Sequence, residues 1–277
     1  MLCRFPRHEF DLSARGLIVG IVNVTPDSFS DGGAFYDPDT ACAQGLRLLD
    51  KGADLLDLGA ESTRPASLPV SPEEEMERLL PVIRMLRAST DAPLSIDTSK
   101  AVVAAAALGA GADIINDVSA LRDPLMAELV ASHQAGLILM HMQGTPATMQ
   151  DHPCYPNDDV LGAVSKFLLE RREAAIGSGV APSSIILDPG LGFGKTVSHN
   201  LALLRGIPTL VALGSPIMIG HSRKSFLASF NGQHDPGERL AAGLAVTALA
   251  RTAGARLFRV HEAAPHRDAL RLTEAIL

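Results

Sequence analysis

A (β/α)8 barrel is the fold this sequence predicts, on three observations. Eight short runs rich in Leu, Ile and Val recur along the 277 residues, each breaks off into polar residues, and a helical pattern follows each one. The runs are continuously apolar rather than alternating, as in parallel sheets covered by helices. The length suits one barrel, since such domains commonly take about 250 residues. A doubly wound open sheet is the competitor for the same alternation. No linker, low-complexity tract or charge block divides the chain, so a single domain over 1–277 is expected, with 1–15 as an N-terminal extension or hairpin.

The elements follow in order. The first run, 17–22, stops at Asn23, and a helix over 38–51 opens on Pro38, whose fixed φ suits a first turn. Strand 55–58 leads to a helix over 72–88, again opened by proline. Strand 94–96 precedes an alanine-rich helix over 100–108, and the shortest run, 114–115, precedes a helix over 124–134. Strand 137–140 passes through the longest irregular stretch, 142–156, to a helix over 158–177. Strands 185–187, 217–219 and 257–260 lead to helices over 200–204, 238–252 and 263–276. Several of these helices close on glycine, as helix punctuation predicts.

Composition narrows the function. With 24 Lys and Arg against 31 Asp and Glu, the net charge is -7, which argues against a duplex binder with its basic stripe. Aromatics are 4% and Trp is absent, so a base-stacking platform is disfavoured. Cys3, Cys42 and Cys154 have neither a CxxC spacing nor a His-rich neighbour, which speaks against a disulfide framework or a structural zinc. Residues 1–16 carry no apolar signal-like core, and the alanine-rich 101–112 is short of the ~18 residues a membrane span needs. A cytoplasmic protein is the expectation.

Barrel chemistry sits at the C-terminal mouth, so the residues just past each run are the informative ones. They are polar every time: Asn23 after the first, Glu61-Ser62-Thr63-Arg64-Pro65 after the second, Asp97-Thr98, Asn116-Asp117 and His141-Met142 after the next three. Asp188-Pro189-Gly190-Leu191-Gly192-Phe193-Gly194-Lys195, His221-Ser222-Arg223-Lys224-Ser225 and His261-Glu262 complete the ring. Any one of these reads as a turn or cap; eight in register read as a site. Asp97, Asn116 and Asp188 suit the donor and acceptor edge of an amino-oxo heterocycle, while Arg64, Lys224, Arg259 and His261 suit an anion. The glycine cluster 190–196 matches neither a Walker loop nor GxGxxG, because Pro189 and Lys195 stand where glycine is required. Taken alone it reads equally as a mobile loop.

Five of these strings, Asn23-Val24-Thr25-Pro26-Asp27-Ser28-Phe29-Ser30-Asp31-Gly32-Gly33, Glu61 to Pro65, Asp188 to Lys195, Ser222-Arg223-Lys224-Ser225-Phe226 and Arg259-Val260-His261, closely resemble the motifs of bacterial dihydropteroate synthases. The resemblance runs in family order from about Gly16 to the C-terminus. It implies a barrel, usually dimeric, that joins 6-hydroxymethyl-7,8-dihydropterin diphosphate to 4-aminobenzoate, giving 7,8-dihydropteroate and diphosphate. Residue by residue it implies that Asp97, Asn116, Asp188 and Lys224 hold the pterin, with Met140 packing on its ring and Arg259 stacking over it. Asn23 would ligate a Mg2+ bound to the diphosphate, and Thr63, Arg259 and His261 would contact that anion. The 4-aminobenzoate would lie between Arg64, Pro65, Phe193 and Lys224, its carboxylate at Ser225 and the N-terminus of the following helix.

Asp97, Asp188, Lys224 and Arg259 are thus the expected catalytic set, with Mg2+ as cofactor and a homodimer as the assembly. Taken alone, Met140 reads as core and His261 equally as a helix cap, while Phe29, His141 and His221 read as loop supports. Ala66 departs from the family, which commonly has glycine after Thr-Arg-Pro, and alanine reaches positive φ less readily. A pterin-dependent methyltransferase shares the pterin pocket by resemblance but needs no diphosphate cradle, so Thr63-Arg64-Pro65 and Ser222-Arg223-Lys224 speak against it. A non-catalytic pterin-binding protein predicts lost loop motifs, yet Asn23 through Gly33 are in place.

Overall fold

The structure, a computed structural model, describes residues 1–25, 37–61, 70–232 and 235–277. Leu2–Phe5 (β1) and His8–Asp11 (β2) pair as an antiparallel hairpin. Eight parallel strands follow: Leu17–Asn23 (β3), Leu55–Gly59 (β4), Leu94–Asp97 (β5), Ile114–Asp117 (β6), Gly136–Met140 (β7), Ile185–Asp188 (β8), Met218–Gly220 (β9) and Leu257–Val260 (β10). They neighbour one another in the order β8, β7, β6, β5, β4, β3, β10, β9. The last seam, between β8 and β9, is closed by a parallel bridge of Leu187 with Ile217 and by the Leu187 N–H donating to the Pro216 carbonyl at 2.9 Å. This ring is the barrel and excludes the open sheet.

The helices are Pro38–Asp50 (α1), Pro72–Ser89 (α2), Ala101–Gly109 (α3), Met126–Ser132 (α4), Val160–Gly177 (α5), Val197–Arg205 (α6), Ile207–Val211 (α7), Ala228–Asn231 (α8), Leu240–Thr252 (α9) and Ala263–Ile276 (α10). Asp37 caps α1 by accepting from the Asp39 and Thr40 N–H groups, and Ser71 caps α2. The helix expected over 124–134 is shorter, because the Asp123 carboxylate accepts from the Leu125 and Ala101 N–H groups and holds the entry as a turn. The helix expected over 200–204 starts earlier, at a Thr196 cap, and Pro208 opens a further turn, α7, directly after it. Among the described residues no helix is long and apolar enough to cross a membrane.

Each barrel strand is buried on both faces along most of its length, which is why its sequence reads as a largely apolar run. Ile18, Leu56, Leu58, Leu94, Ile96, Ile115, Leu137, Leu139, Ile185 and Phe258 face outward into a core shared with the helices. Leu17, Val19, Leu55, Ile114, Ile138, Ile186, Met218 and Leu257 face inward, and Cys3, Phe5 and Leu12 from the hairpin segment complete this inner cluster at the N-terminal end. Phe5 fits there because position 136 is glycine: a Cβ would come within 2.5 Å of the Phe5 ring. The hairpin therefore plugs the barrel floor. Phe5→Ala should cost about 3 kcal/mol by opening a cavity there, read as a lowered urea midpoint with an unchanged slope.

Candidate active site

Two residues beyond the apolar inner layer, the period-two alternation of each strand brings a second set of side chains inward. Asp57 follows Leu55, Asn116 follows Ile114, Met140 follows Ile138, Asp188 follows Ile186 and Arg259 follows Leu257, with Ser95 and Asp97 contributed by β5. The upper barrel is therefore polar. Arg259 bridges two carboxylates, its Nε donating to Asp57 Oδ2 at 2.5 Å and its Nη2 to Asp97 Oδ2 at 2.8 Å. Asp57 also accepts from Ser95 Oγ at 2.6 Å and Asn116 Nδ2 at 3.1 Å. That leaves Asn116 Oδ1 buried with no hydrogen-bond partner. A buried acceptor left over from a satisfied network is what a site for a donor-bearing ligand requires.

Burial sets the titration of these groups. It pushes the Asp97 carboxyl well above the ordinary carboxylate range, against the pull of Arg259 and with help from Asp57. Asp188 is pushed up to about 6 by burial, although its Oδ1 accepts the Gly190 N–H at 2.7 Å. Lys224 is lowered to about 8, by burial and then by Arg259, while Asp188 and Asp97 oppose the shift. Burial works against the Arg259 charge too, yet Asp57 and Asp97 raise it further above its ordinary value. These four groups act on one another electrostatically and form one site.

The β8–α6 loop brings Phe193 to this site, with Lys224 Nζ 3.8 Å from its ring centroid. The loop's glycines are required. Gly190 and Gly194 have φ of 67° and 62°, and a Cβ at Gly190 would lie 2.0 Å from the His141 carbonyl oxygen. Gln150 Nε2 donates to the Gly192 carbonyl and Tyr155 to the Gly194 carbonyl, so the loop is held from the β7–α5 side. Met140 joins Val118, Met149 and Phe193 in a small apolar cluster separate from both barrel cores, which places it beside the site rather than in the general interior.

The other expected residues fall as follows. Asn23 ends β3, half-buried at the mouth. His261 does not cap α10, whose cap position is Glu262; its Nδ1 lies 3.0 Å from Ser222 Oγ, joining the ends of β10 and β9. Ser225 is exposed and opens a single 3-10 turn, Ser225–Leu227, before the one-turn α8. A long helix dipole is therefore absent behind Ser225, and its hydroxyl and the turn's own N–H groups are what it offers an anion. His141 and His221 are buried supports, the latter 2.9 Å from Thr247 Oγ1. Thr63, Arg64, Pro65, Ala66 and Phe29 lie outside the described residues.

Comparison with known proteins gives the family. The family model for pterin binding enzymes matches residues 19–261. A dihydropteroate synthase of Neisseria meningitidis serogroup B is 46% identical over 265 residues, covering 94% of this chain and 92% of that one. The chain belongs to the dihydropteroate synthase family. A solved Xanthomonas albilineans dihydropteroate synthase with 4-aminobenzoic acid superposes with a TM-score of 0.92 at 45% identity, covering 100% of this chain and 98% of that one. The enzyme of the same organism in complex with 7,8-dihydropteroate gives a TM-score of 0.88 at 44% identity, covering 98% and 96%. This chain is accordingly a transferase.

One residue of the site, Asp57, is not singled out by the sequence. Asp57 lies inside the run 55–58, where one carboxylate among leucines reads as part of a strand; its signal is that a charge at an inward barrel position needs a partner. Arg223 adopts φ of 62°, uncommon for a non-glycine residue, and aims the Lys224 segment while its own guanidinium pairs with Glu262. Asp57→Ala should destabilise the fold by about 3 kcal/mol, since it leaves Arg259 and Asn116 without their shared acceptor. Thermal and urea unfolding check this.

Proposed function

We propose that this mouth joins 6-hydroxymethyl-7,8-dihydropterin diphosphate to 4-aminobenzoate, forming 7,8-dihydropteroate and releasing diphosphate. The observation that carries the reading is the buried acceptor set of Asp97, Asp188 and the unpartnered Asn116 Oδ1, facing two cations, Lys224 and Arg259. The carboxylates would accept from the amino and ring N–H groups of the pterin, and Lys224 would donate to its oxo and ring-nitrogen acceptors. Met140 supplies an apolar contact for the ring, and the uncommitted edge and face of Arg259 lie open to the pterin and its anion. Phe193, with Lys224 above it, supplies one wall for the 4-aminobenzoate, and Ser225 a donor for its carboxylate. Thr63, Arg64 and Pro65 complete the anion and amine sites in this reading, by resemblance.

The reaction is substitution at the exocyclic methylene carbon. The bond from that carbon to the diphosphate oxygen breaks, a bond to the amine nitrogen forms, and the nitrogen sheds a proton. The electron-rich dihydropterin shares the positive charge that develops, and Asp97 and Asp188 stabilise it from the pterin side. Arg259 and His261 stabilise the departing anion, and the Phe193 wall holds the amine in line.

Mg2+ fits as the counter-ion of the diphosphate. Asn23 offers a hard amide oxygen at the end of β3, the donor class that Mg2+ takes. Among the described residues no cluster of three or more His, Cys, Asp or Glu can hold a metal, so the protein would share the ion with phosphate oxygens and water rather than cage it. When bound, it neutralises charge on the leaving diphosphate. A homodimer belongs to the same proposal: Leu249 on α9 and Leu272 and Ile276 on α10, two helices packed together, present exposed apolar side chains for a second copy to cover.

Purified protein with Mg2+ and both substrates should release diphosphate in step with dihydropteroate, and release none without the amine. Pterin binding with no turnover would instead indicate a non-catalytic binding protein, and release without amine a hydrolase. Lys224→Met should weaken pterin binding by ~1.5–3 kcal/mol, the range for a hydrogen bond to a charged group, while leaving the fold intact. Wild-type affinity should fall as pH rises through about 8, where Lys224 loses its proton, and the variant should lack that fall. Calorimetric titration with a pterin across this range checks both.

A further inference from the structure

Lys195 is the only lysine among the buried side chains of the described residues. Its ammonium has three protons and three acceptors: the Phe193 carbonyl at 2.9 Å, His141 Nδ1 at 3.0 Å and the His141 carbonyl at 3.3 Å. None of the three is a carboxylate. Burial lowers this lysine to about 7 against the pull of Asp188, so holding its charge among neutral acceptors is costly, and an apolar side chain would fill the same space without that cost. Packing therefore does not explain the residue; its geometry does. His141 stands directly after β7, whereas Phe193 lies in the β8–α6 loop and carries the ring beneath Lys224. Gly190 and Gly194 let that loop approach β7 closely, and the bonds from Lys195 fix the backbone of Phe193 itself. Burial lowers His141 to about 3, so its ring is neutral and accepts at Nδ1.

We propose that Lys195 is a positioning residue for the amine substrate: it ties the end of β7 to the Phe193 carbonyl and so sets the ring that forms one wall of the 4-aminobenzoate site. The inference rests on the reading of Phe193 and Lys224 given under Proposed function. Lys195 touches neither substrate. Its effect passes through Phe193, so removing it should disturb the amine more than the pterin edge, whose acceptors Asp97, Asn116 and Asp188 sit on β5, β6 and β8. The groups facing it are His141 and the Phe193 carbonyl, with Asp188 and Lys224 as the nearest charges. Several of these titrate in one pH range, which makes a pH profile a poor discriminator and a double-mutant cycle a good one.

The test is steady-state kinetics on the full-length enzyme with Lys195→Met, Phe193→Leu and the double variant. Each single change should raise KM for 4-aminobenzoate by about 10-fold, and the double should be no worse than the worse single, the signature of coupled residues. KM for the pterin diphosphate should stay within about twofold. Losses that multiply in the double, or a pterin KM that rises in parallel, would assign Lys195 to general stability and overturn the proposal. If Lys195→Met does not fold, Lys195→Gln carries the same cycle with the same two outcomes, since its amide fills part of the space with a neutral polar group but is too short to span from the Phe193 carbonyl to His141. A wild-type enzyme that makes no dihydropteroate removes the reading of the whole site and this inference with it. An active wild type with multiplying losses removes this inference alone.

Discussion

The bridge from Arg259 to Asp57 and Asp97 is the constraint on which the rest of the site depends. A barrel interior is ordinarily filled by layers of branched apolar side chains, and the lower half of this one is. In the upper half two carboxylates and an amide replace them, and burying these requires a partner that meets several acceptors in fixed directions. The planar guanidinium does so, with Nε on one carboxylate and Nη2 on the other. A lysine has no such fork. Ser95 and Asn116 satisfy the remaining lone pairs of Asp57, and the result is a rigid polar floor under the mouth.

Asp57, Asp97 and Asp188 face Arg259 and Lys224, and Lys195 acts on Asp188 as a third cation. Burial raises Asp188 to about 6 in spite of these cations, so in the free enzyme a fraction of it carries a proton. A native carboxyl held above its unfolded value contributes stability at low pH that is lost as pH rises through about 6. The free site thus becomes less comfortable as it ionises, and a ligand bringing N–H donors and developing positive charge relieves it. The energy that loosens the empty site is the energy available to the transition state.

Much of this was legible in the sequence. Every barrel strand lies within two residues of its expected bounds, and most of the differences share a cause. The strands continue into Asn23, Gly59, Asp97, Asn116, Asp117, Asp188 and Gly220, because backbone pairing does not stop where side chains turn polar. Reading apolarity alone therefore cuts six of the eight barrel strands short at the mouth, where chemistry starts. Asp57 stayed hidden for the opposite reason, being a polar inward residue enclosed by apolar outward ones. The placement of Lys195 under Phe193 depends on a loop whose course is set by positive-φ glycines, and that is a matter of three dimensions. The hairpin's role as floor plug was also illegible, since it depends on Gly136, more than a hundred residues away, leaving room for Phe5.

Burial, checked by Arg259 and Lys224, holds Asp97 and Asp188 partly protonated until a pterin arrives. The most direct measurement is the titration of Asp188 by carboxyl 13C NMR, in the free enzyme and with a pterin bound. The midpoint should lie near 6 in the free enzyme and fall toward the ordinary value of about 3.9 on binding. An ordinary midpoint in the free enzyme, or one that a bound pterin leaves unmoved, would contradict it.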